Sequence, residues 1–475
     1  MPVANVIHAP SRNASFTTLL WLFLFALTIR WGYALIVYAT MGDGGIIMAD
    51  GRGYMTDARK LVTLLQDGAL HGSQWLGIDI STMPVFSWLL GLNVLAFGDV
   101  GALTYVLTQG LIDSATCLLV YGMAATVAER FALPAGIAAA VNPTQIVLSG
   151  LVYTDTPFLF FVALMLYGSL RWLYAPSLRS ALLVGIGIGG AALTRILIVP
   201  WAPVLILFLI AVPLCRRRLR PAHVGHAAAI AAIVAICLTP ILMRNVLTYG
   251  HWSLTSQGGV HLAYWVVPLV KEAKDGTPWE KTSRDMARRV KERFPTRERG
   301  PFEESRQATE VGREALAELG QFAIVKAWII GAAINIASPA VILSPPVSQL
   351  PRTGFYGTQG ASPAEKLFNF VFRSDNRAYA LILLFGIVGV ALIRLVQLTG
   401  LVAMVPIAPA AAILFVLWVS FILAVNGPVA SPKYRLPVEP VLCVLTGAGF
   451  ATVRDWWRRR KARCYSTIWV SVRWT

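Results

Sequence analysis

Two aspartates in this sequence stand directly before segments with helical periodicity, and both could do chemistry at a membrane surface. Asp50 lies in MADGRGYMTDARKLV, and the residues from Tyr54 to Leu65, which extend just beyond this stretch, predict a short amphipathic helix on the membrane. Asp155 opens the long apolar run DTPFLFFVAL. Either carboxylate could be an ordinary helix cap, which the helix dipole favours. If both lie on one membrane face, they could instead divide the roles of base and positioning group, or bind a hard cation.

Cationic side chains occur within and at the ends of apolar runs, where they need an explanation. Arg195, in AALTRILIVPW, would cost about 2.5–3.5 kcal/mol at mid-bilayer and less near a helix end, so it either reaches the surface or pairs with an anion. Arg30, inside the first run, raises the same question. Arg244 and Asn245 close a later run, and the glycines that follow could present backbone donors to a ligand or form a turn.

A further basic cluster, in the segment SPKYRLPVEP, contains Lys433, Tyr434 and Arg435. The number of membrane crossings before it places this cluster on the external face, which the positive-inside rule leaves poor in cations. Such a cluster suits a phosphate group better than it suits a topology signal. Arg52 follows Asp50 closely enough to be another candidate for holding a phosphate.

These residues stand in a chain whose composition is that of a membrane protein. Of its 475 residues, 56% are hydrophobic and 14% are charged, against about 25% charged in soluble domains. Apolar runs of about 20 residues recur along the chain and predict a polytopic membrane protein. The net charge of +17 gathers beside these runs, in CRRRLR and RDWWRRRKAR, which argues against a nucleic-acid-binding surface. The five cysteines have no paired spacing, so no disulfide framework is predicted.

The basic clusters also set the number of crossings, because each should be cytoplasmic. The runs between them give about ten crossings and two large external segments, 41–101 and 244–377. Two apolar runs are expected not to cross. The run 84–97 is too short to span a core of about 30 Å. The run 322–343 would break the parity of the count and contains Lys326 and Asn335.

We therefore expect an all-α polytopic membrane protein, with about 10–12 transmembrane helices and interfacial helices in its external segments. Its expected divisions follow from the distribution of the apolar runs. They are a transmembrane module with the first external loop (1–243), an external loop with amphipathic helices (244–377), C-terminal transmembrane helices (378–453) and a basic cytoplasmic tail (454–475).

Six segments, in order along nearly the whole chain, resemble those of the GT-C glycosyltransferases. The resemblance is to the bacterial, glycosyltransferase family 39-like branch that contains the protein O-mannosyltransferases and the lipid A aminoarabinose transferase. ADGRGYMTDARKLV resembles the first-loop aspartate motif of that branch, and MPVFSWLLGLNVLAFGD resembles its interfacial segment. VNPTQIVLSGLVYTDTPFLF is similar to its second acidic motif. GGAALTRILIVPW, PILMRNVLTYGHW and KYRLPVEP are similar to three later signatures.

The chain departs from the pattern of this branch at two positions. Many members carry an Asp-Glu pair in the first loop, whereas here Gly51 follows Asp50. The proline of their LTRP segment is Ile196 here. The missing second acid leaves open whether a divalent cation binds at Asp50 and Asp155, and no other cofactor is expected.

The resemblance implies a transferase that moves a sugar from a polyprenyl-phosphate donor to a hydroxyl acceptor at the external, periplasmic face of the inner (plasma) membrane. Asp50 would be the general base of an inverting displacement, and Asp155 would position its partners. The acceptor would be a glycan, a lipid or a protein. The lipid phosphate and the sugar would bind to a set of cationic and polar residues. These are Arg52, Tyr54, Arg195, Arg244, Asn245, Lys433, Tyr434 and Arg435.

Three other classes of protein fit part of the pattern. A transporter or flippase of polyprenyl-linked or anionic glycans would show repeated halves and polar groups at the midplane, whereas here the polar groups gather at one face. A polysaccharide polymerase or ligase of another fold would use similar donors. A non-catalytic membrane scaffold would need none of these residues. No motif indicates which sugar is moved or to which acceptor.

Overall fold

The computed structural model describes residues 15–295, 300–350, 358–373 and 377–471, and these residues form helices and connecting turns without any β-strand. The expectation of an all-α polytopic membrane fold is confirmed. Eight of the described helical segments are long and apolar enough to cross a membrane, and the number rises to ten if each of two bent pairs is one span.

The N-terminal half contains eleven α-helices, three of which lie in or beside the first external segment. They are α1 (Phe16–Met41), α2 (Asp43–Ile46), α3 (Gly51–Gln66), α4 (Pro84–Phe97), α5 (Gly101–Val127), α6 (Glu129–Ala140), α7 (Pro143–Ser149), α8 (Asp155–Tyr174), α9 (Leu178–Ala192), α10 (Trp201–Cys215) and α11 (Pro221–Tyr249).

The described residues of the C-terminal half form eleven further α-helices. They are α12 (Gln257–His261), α13 (Val267–Asp275), α14 (Trp279–Arg293), α15 (Pro301–Leu319), α16 (Gln321–Ala337), α17 (Pro345–Ser348), α18 (Pro363–Phe372), α19 (Arg377–Met404), α20 (Pro409–Asn426), α21 (Pro432–Arg435) and α22 (Glu439–Ser471).

Two continuous apolar stretches of the sequence are interrupted in the structure. The apolar run 401–425 is divided, because α19 continues to Met404 and α20 begins at Pro409. The run 135–151 is a bent pair, α6 and α7, with an angle of 45° between them. Asn142 makes this break, since its side chain accepts hydrogen bonds from the amides of Thr144 (2.9 Å) and Gln145 (3.2 Å) and so caps α7. Mean hydropathy is taken over many residues, so a single capping residue within an apolar run does not show in it.

The two runs expected not to cross form short helices that pack on their neighbours. Helix α4 has 14 residues, and it turns back along α5, since Thr108 of α5 lies 3.3 Å from the side-chain oxygen of Asn93 in α4. Helix α16 follows α15 at an angle of 100° and packs on the end of α20, where Trp328 donates to the carbonyl of Ala424 (3.0 Å). Both helices therefore pack against longer ones and brace them.

The largest core lies between the membrane helices and contains small, aliphatic and aromatic side chains. Close approach of the helices depends on glycine at their contacts, since a Cβ on Gly187 of α9 would lie 2.5 Å from the backbone of Met165 in α8. A Cβ on Gly400 of α19 would likewise collide with the carbonyl of Leu445 in α22. Such contacts are typical of helix association in lipid, where small residues let backbones approach. This packed bundle supports the polar groups at one of its ends.

Candidate active site

Four charged side chains from four separate segments meet at one end of the bundle. The Nζ of Lys433 lies 2.8 Å from Oδ2 of Asp50 and 3.9 Å from Oδ2 of Asp155. The second oxygen of Asp155 accepts a hydrogen bond from Arg195 at 2.6 Å. We call these four residues the charged cluster. Two carboxylates and two cations alternate in it, so its formal net charge is zero.

Each member of the charged cluster stands at an interruption in the helices. Asp50 precedes α3 and makes no capping hydrogen bond with its side chain, so the carboxylate is directed to Lys433 instead. The preceding Ala49 has φ +42°, a conformation that residues other than glycine rarely adopt. Asp155 is the first residue of α8, and its carboxylate pairs with Arg195. The structure therefore assigns neither aspartate to the capping role that was an alternative for both.

The two cations are placed by short segments that leave the regular helices. Arg195 follows the end of α9 in an extended conformation, with φ −148° and ψ +128°. Lys433 lies in α21, whose first turn is capped by Ser431, since the Lys433 amide donates to the Ser431 hydroxyl at 3.2 Å. The Ser431 amide in turn donates to the side chain of Asn335 in α16 at 2.9 Å. Helix α16 thus helps to fix the position of Lys433.

Aromatic rings line the charged cluster. The ammonium of Lys433 lies 4.2 Å from the ring centre of Tyr153, and the guanidinium of Arg195 lies 5.7 Å from that of Phe158. Burial raises the pKa of Tyr153 to about 12, against the opposing influence of Lys433. Burial also raises the pKa of Tyr54, which packs on Phe86 with ring centres 4.7 Å apart. Both phenols are therefore neutral hydrogen-bond donors at physiological pH.

The four charges differ in their access to solvent. The side chain of Asp50 is 57% exposed, that of Lys433 is 15% exposed, and that of Asp155 is only 2% exposed. A substrate hydroxyl arriving from the aqueous side can therefore reach Asp50 but not Asp155. This difference suits Asp50 for proton transfer and Asp155 for holding the cations in place.

The structure brings together five of the ten residues predicted for the site and places Tyr434 near them. Asp50, Tyr54, Asp155, Arg195 and Lys433 interact with one another, directly or electrostatically. Tyr434 interacts electrostatically with Arg195. Arg52 is exposed on α3, and among the described residues it has no ion-pair partner.

Arg435 lies apart from the charged cluster, in a buried network of its own. It is 3% exposed, and it donates to Glu439 (2.7 Å), to the carbonyl of Ser338 (2.6 Å) and to the hydroxyl of Thr144 (3.1 Å). Because Arg435 is buried and apart from the charged cluster, its position does not support the expected role in binding phosphate. Two residues along a helix turn by about 200°, so Lys433 and Arg435 point to opposite sides of α21.

Arg244 and Asn245 hold two loops in place. Arg244 donates to the carbonyls of Leu76 (2.9 Å) and Gly77 (3.2 Å), and Asn245 donates to the carbonyl of Ser253 (2.6 Å). The pair therefore joins the end of α11 to the first external segment and to the loop that follows α11. These contacts satisfy the buried polar groups of Arg244 and Asn245, so no bound ligand is needed to explain their burial.

Two residues near the site were missed in the sequence. The ring of Tyr153 packs against the ammonium of Lys433. Tyr105 of α5 supports Tyr153, because its hydroxyl donates a hydrogen bond to the Tyr153 carbonyl at 3.3 Å. The position of Tyr153, two residues before Asp155, is a signal that was available. Asp113 of α5 was also missed. It pairs with Arg30 at 2.6 Å, and both are buried, so Arg30 has a partner inside the bundle.

A family model described as dolichyl-phosphate-mannose-protein mannosyltransferase matches residues 81–243. This region contains Asp155 and Arg195 but not Asp50 or Lys433. A curated protein, the glyoxylate/hydroxypyruvate reductase B of Serratia proteamaculans, is 33% identical over 100 residues, which are 20% of this chain and 30% of that protein. A match of that extent does not bear on the fold of the bundle.

Solved structures extend the comparison over nearly the whole chain. The archaeal oligosaccharyltransferase AglB from Archaeoglobus fulgidus, in complex with an inhibitory peptide and a dolichol-phosphate, has a TM-score of 0.52 and 14% identity. The match covers 95% of this chain and 51% of AglB, so the chain spans about half the length of that protein. ArnT from Cupriavidus metallidurans in the apo state has a TM-score of 0.35 and 16% identity, over 93% of this chain and 78% of ArnT.

The family match and the fold agree with the motifs in the sequence. The match over residues 81–243 falls on the interfacial segment, the second acidic motif and the LTR-containing segment. The shared fold with the archaeal oligosaccharyltransferase extends beyond these residues and covers 95% of the chain. The chain accordingly shares the fold of the archaeal oligosaccharyltransferase and, over residues 81–243, is similar to the protein mannosyltransferase family.

Proposed function

We propose that this protein is a membrane glycosyltransferase that moves a sugar from a polyprenyl-phosphate donor to a hydroxyl acceptor. The observation that carries the proposal is the charged cluster, in which an exposed carboxylate lies beside two largely buried cations at the external ends of the membrane helices. The family match over residues 81–243 and the fold support the same class of enzyme. AglB was solved with a dolichol-phosphate, which is the kind of lipid phosphate that the proposal requires.

The proposed reaction is a single displacement at the anomeric carbon. Asp50 removes the proton of the acceptor hydroxyl while the acceptor oxygen forms its bond to the anomeric carbon. The bond from that carbon to the phosphate oxygen breaks, and the electron pair leaves with the lipid phosphate. Because the attack and the departure occur on opposite sides of the carbon, the anomeric configuration is inverted.

The cations of the charged cluster stabilise the departing phosphate. Lys433 and Arg195 are close to the base and held by Asp155, so they need little reorganisation as negative charge develops. Tyr54 is a neutral donor beside them, and in this proposal Tyr54 and Tyr434 contact the sugar or the phosphate. Asp155 is a positioning residue, since it is buried and does not meet the reacting atoms.

The location of the site completes the proposal. The cluster lies at the end of the bundle opposite to the basic segments CRRRLR and RDWWRRRKAR, which the positive-inside rule assigns to the cytoplasm. We infer that the protein resides in the inner (plasma) membrane with its active site on the periplasmic side. The donor would then reach the site with its lipid chain in the bilayer and its sugar at the surface.

The test compares membranes that contain the wild-type protein with membranes that contain Asp50→Asn, using radiolabelled polyprenyl-phosphate sugars and candidate acceptors. We expect transfer by the wild type and a loss of at least about 100-fold in Asp50→Asn, because an amide cannot accept the proton. Asp43→Asn, an exposed neighbour outside the charged cluster, is the matched control and should keep full activity. Undiminished transfer by Asp50→Asn would contradict the role of the base.

A second arm of the same experiment distinguishes a transferase from a transporter. The donor is supplied on the external side of sealed vesicles, so that no movement across the membrane is required. Transfer to the acceptor under these conditions supports the enzyme. Movement of the intact labelled lipid between leaflets, without transfer of its sugar, would favour a flippase.

A further inference from the structure

A lysine ammonium lies where a divalent cation would lie if the two carboxylates of the charged cluster shared one. Lys433 is within ion-pair distance of both, with Nζ 2.8 Å from Asp50 and 3.9 Å from Asp155. The other oxygen of Asp155 is taken by Arg195. Each carboxylate therefore already faces a cation that belongs to the protein.

The remaining donor groups do not fit a hard metal ion. Mg²⁺ needs a nearly octahedral shell of oxygen ligands, and Ca²⁺ takes about six to eight. Within the part of the chain that the structure describes, no group of three or more His, Cys, Asp and Glu side chains could hold a metal ion. A divalent cation would also be repelled by Lys433 and Arg195 at close range.

The position of Lys433 is fixed by contacts on several sides. The ring of Tyr153 lies 4.2 Å beneath its ammonium, and the Ser431 cap orients its backbone. Ser431 is in turn held by Asn335 of α16. The side chain is only 15% exposed, so water screens its charge weakly. A fixed and largely desolvated cation can stabilise developing negative charge, as a bound metal ion does in other enzymes.

We propose that Lys433 replaces a divalent metal ion in this site. Its ammonium orients the Asp50 carboxylate toward the acceptor, and it neutralises the charge that the lipid phosphate gains when its bond to the anomeric carbon breaks. Lys433 stays protonated throughout and forms no covalent bond. Glycosyl transfer by this protein therefore needs no metal. This inference rests on the proposed function, but binding of a metal can be measured without any turnover.

The first test uses the purified full-length wild type in lipid nanodiscs. Titration with Mn²⁺, followed by electron paramagnetic resonance, should show no binding that depends on Asp50, and transfer should be unchanged after dialysis against EDTA. Stoichiometric Mn²⁺ binding that is lost in Asp50→Asn would overturn the inference. Loss of transfer on chelation that Mg²⁺ or Mn²⁺ restores would also overturn it. Failure of every sugar donor would contradict the proposed function and still leave the binding result readable.

The second test compares Lys433→Gln with Lys433→Arg. The glutamine is polar and one bond shorter than lysine, and it carries no charge, so it should lower the transfer rate about 100-fold, as loss of one preorganised donor commonly does. The arginine keeps the charge and should retain more activity than the glutamine. Lys60→Gln, an exposed lysine on α3, is the control and should behave as the wild type. A rate for Lys433→Gln close to that of the wild type, without added metal, would overturn the inference.

Discussion

At the scale of single residues, Asp50 and Asp155 illustrate how one residue type is given two roles by its surroundings. Asp50 is more than half exposed and faces one cation, whereas Asp155 is buried and lies between two. An exposed carboxylate can exchange its proton with a substrate, while a buried one paired with arginine is a fixed counter-charge. The sequence places both at helix starts and does not distinguish them.

Tyr153 provides a residue-scale prediction for the site. Replacing it by leucine removes the ring beneath Lys433 and should raise the KM for the donor about fivefold, since a cation–π contact contributes about 1 kcal/mol. Tyr153→Phe keeps the ring and should match the wild type. Its phenol has a pKa of about 12, so it stays neutral at any pH below that value and Tyr153→Phe should leave the pH profile of transfer unchanged. Steady-state kinetics with both variants make the measurement.

Two outcomes would contradict a contribution of the Tyr153 ring. If Tyr153→Phe and Tyr153→Leu raise the KM by the same factor, the hydroxyl rather than the ring supports Lys433. If neither variant changes the KM, the ring does not contribute to holding the donor.

At the scale of elements, arginines satisfy the carbonyl groups that interrupted helices leave free. Arg30 donates to the carbonyls of Ala139 (3.0 Å) and Ala140 (2.7 Å), where α6 ends inside the bundle. Arg435 does the same at the end of α16, where it reaches Asn335 and Ser338. A free carbonyl costs several kcal/mol away from water, so these contacts make the breaks tolerable. Sequence reasoning treated such arginines as candidates for binding anions.

The Arg435–Glu439 pair gives a prediction at this scale. Glu439→Ala leaves a buried guanidinium without its counter-charge and should lower the free energy of unfolding by about 3–5 kcal/mol. The double variant Arg435→Met/Glu439→Met should lose less, because it buries no unpaired charge. Thermal unfolding in detergent ranks the variants. The same loss for both variants would mean that the hydrogen bonds of Arg435, and not its charge balance, stabilise the end of α16.

At the scale of the whole molecule, the sequence predicts the membrane architecture well and the site in part. The count of crossings, set by basic clusters such as CRRRLR, places Asp50, Asp155 and Lys433 on one face, where the structure has them together. The contact between Asp50 and Lys433 joins residues 383 positions apart, and it depends on how α3, α8 and α21 pack. Residue spacing carries no such information, which is why Arg435 was grouped with Lys433 although it points elsewhere.

Arg244 connects the membrane helices to the external segments, and this leads to a prediction for the whole molecule. Arg244→Ala removes the hydrogen bonds to Leu76 and Gly77, so the first external segment should open more readily. Limited proteolysis should cut 68–83 several-fold faster, because local opening exposes such loops. Cleavage elsewhere should not change. Protection equal to that of the wild type would show that the loop is held by other contacts, such as the stacked rings of Trp75 and Trp88.

The neutrality of the charged cluster has a consequence for the turnover cycle. When Asp50 takes the acceptor proton, the cluster gains one positive charge at the moment when the lipid phosphate gains one negative charge. The charged cluster then attracts the lipid phosphate product more strongly than it attracted the donor. The carrier lipid leaves easily only after Asp50 has returned its proton to the water that its exposure admits. On the proposed mechanism, release of the spent lipid for recycling is thus tied to the release of one proton.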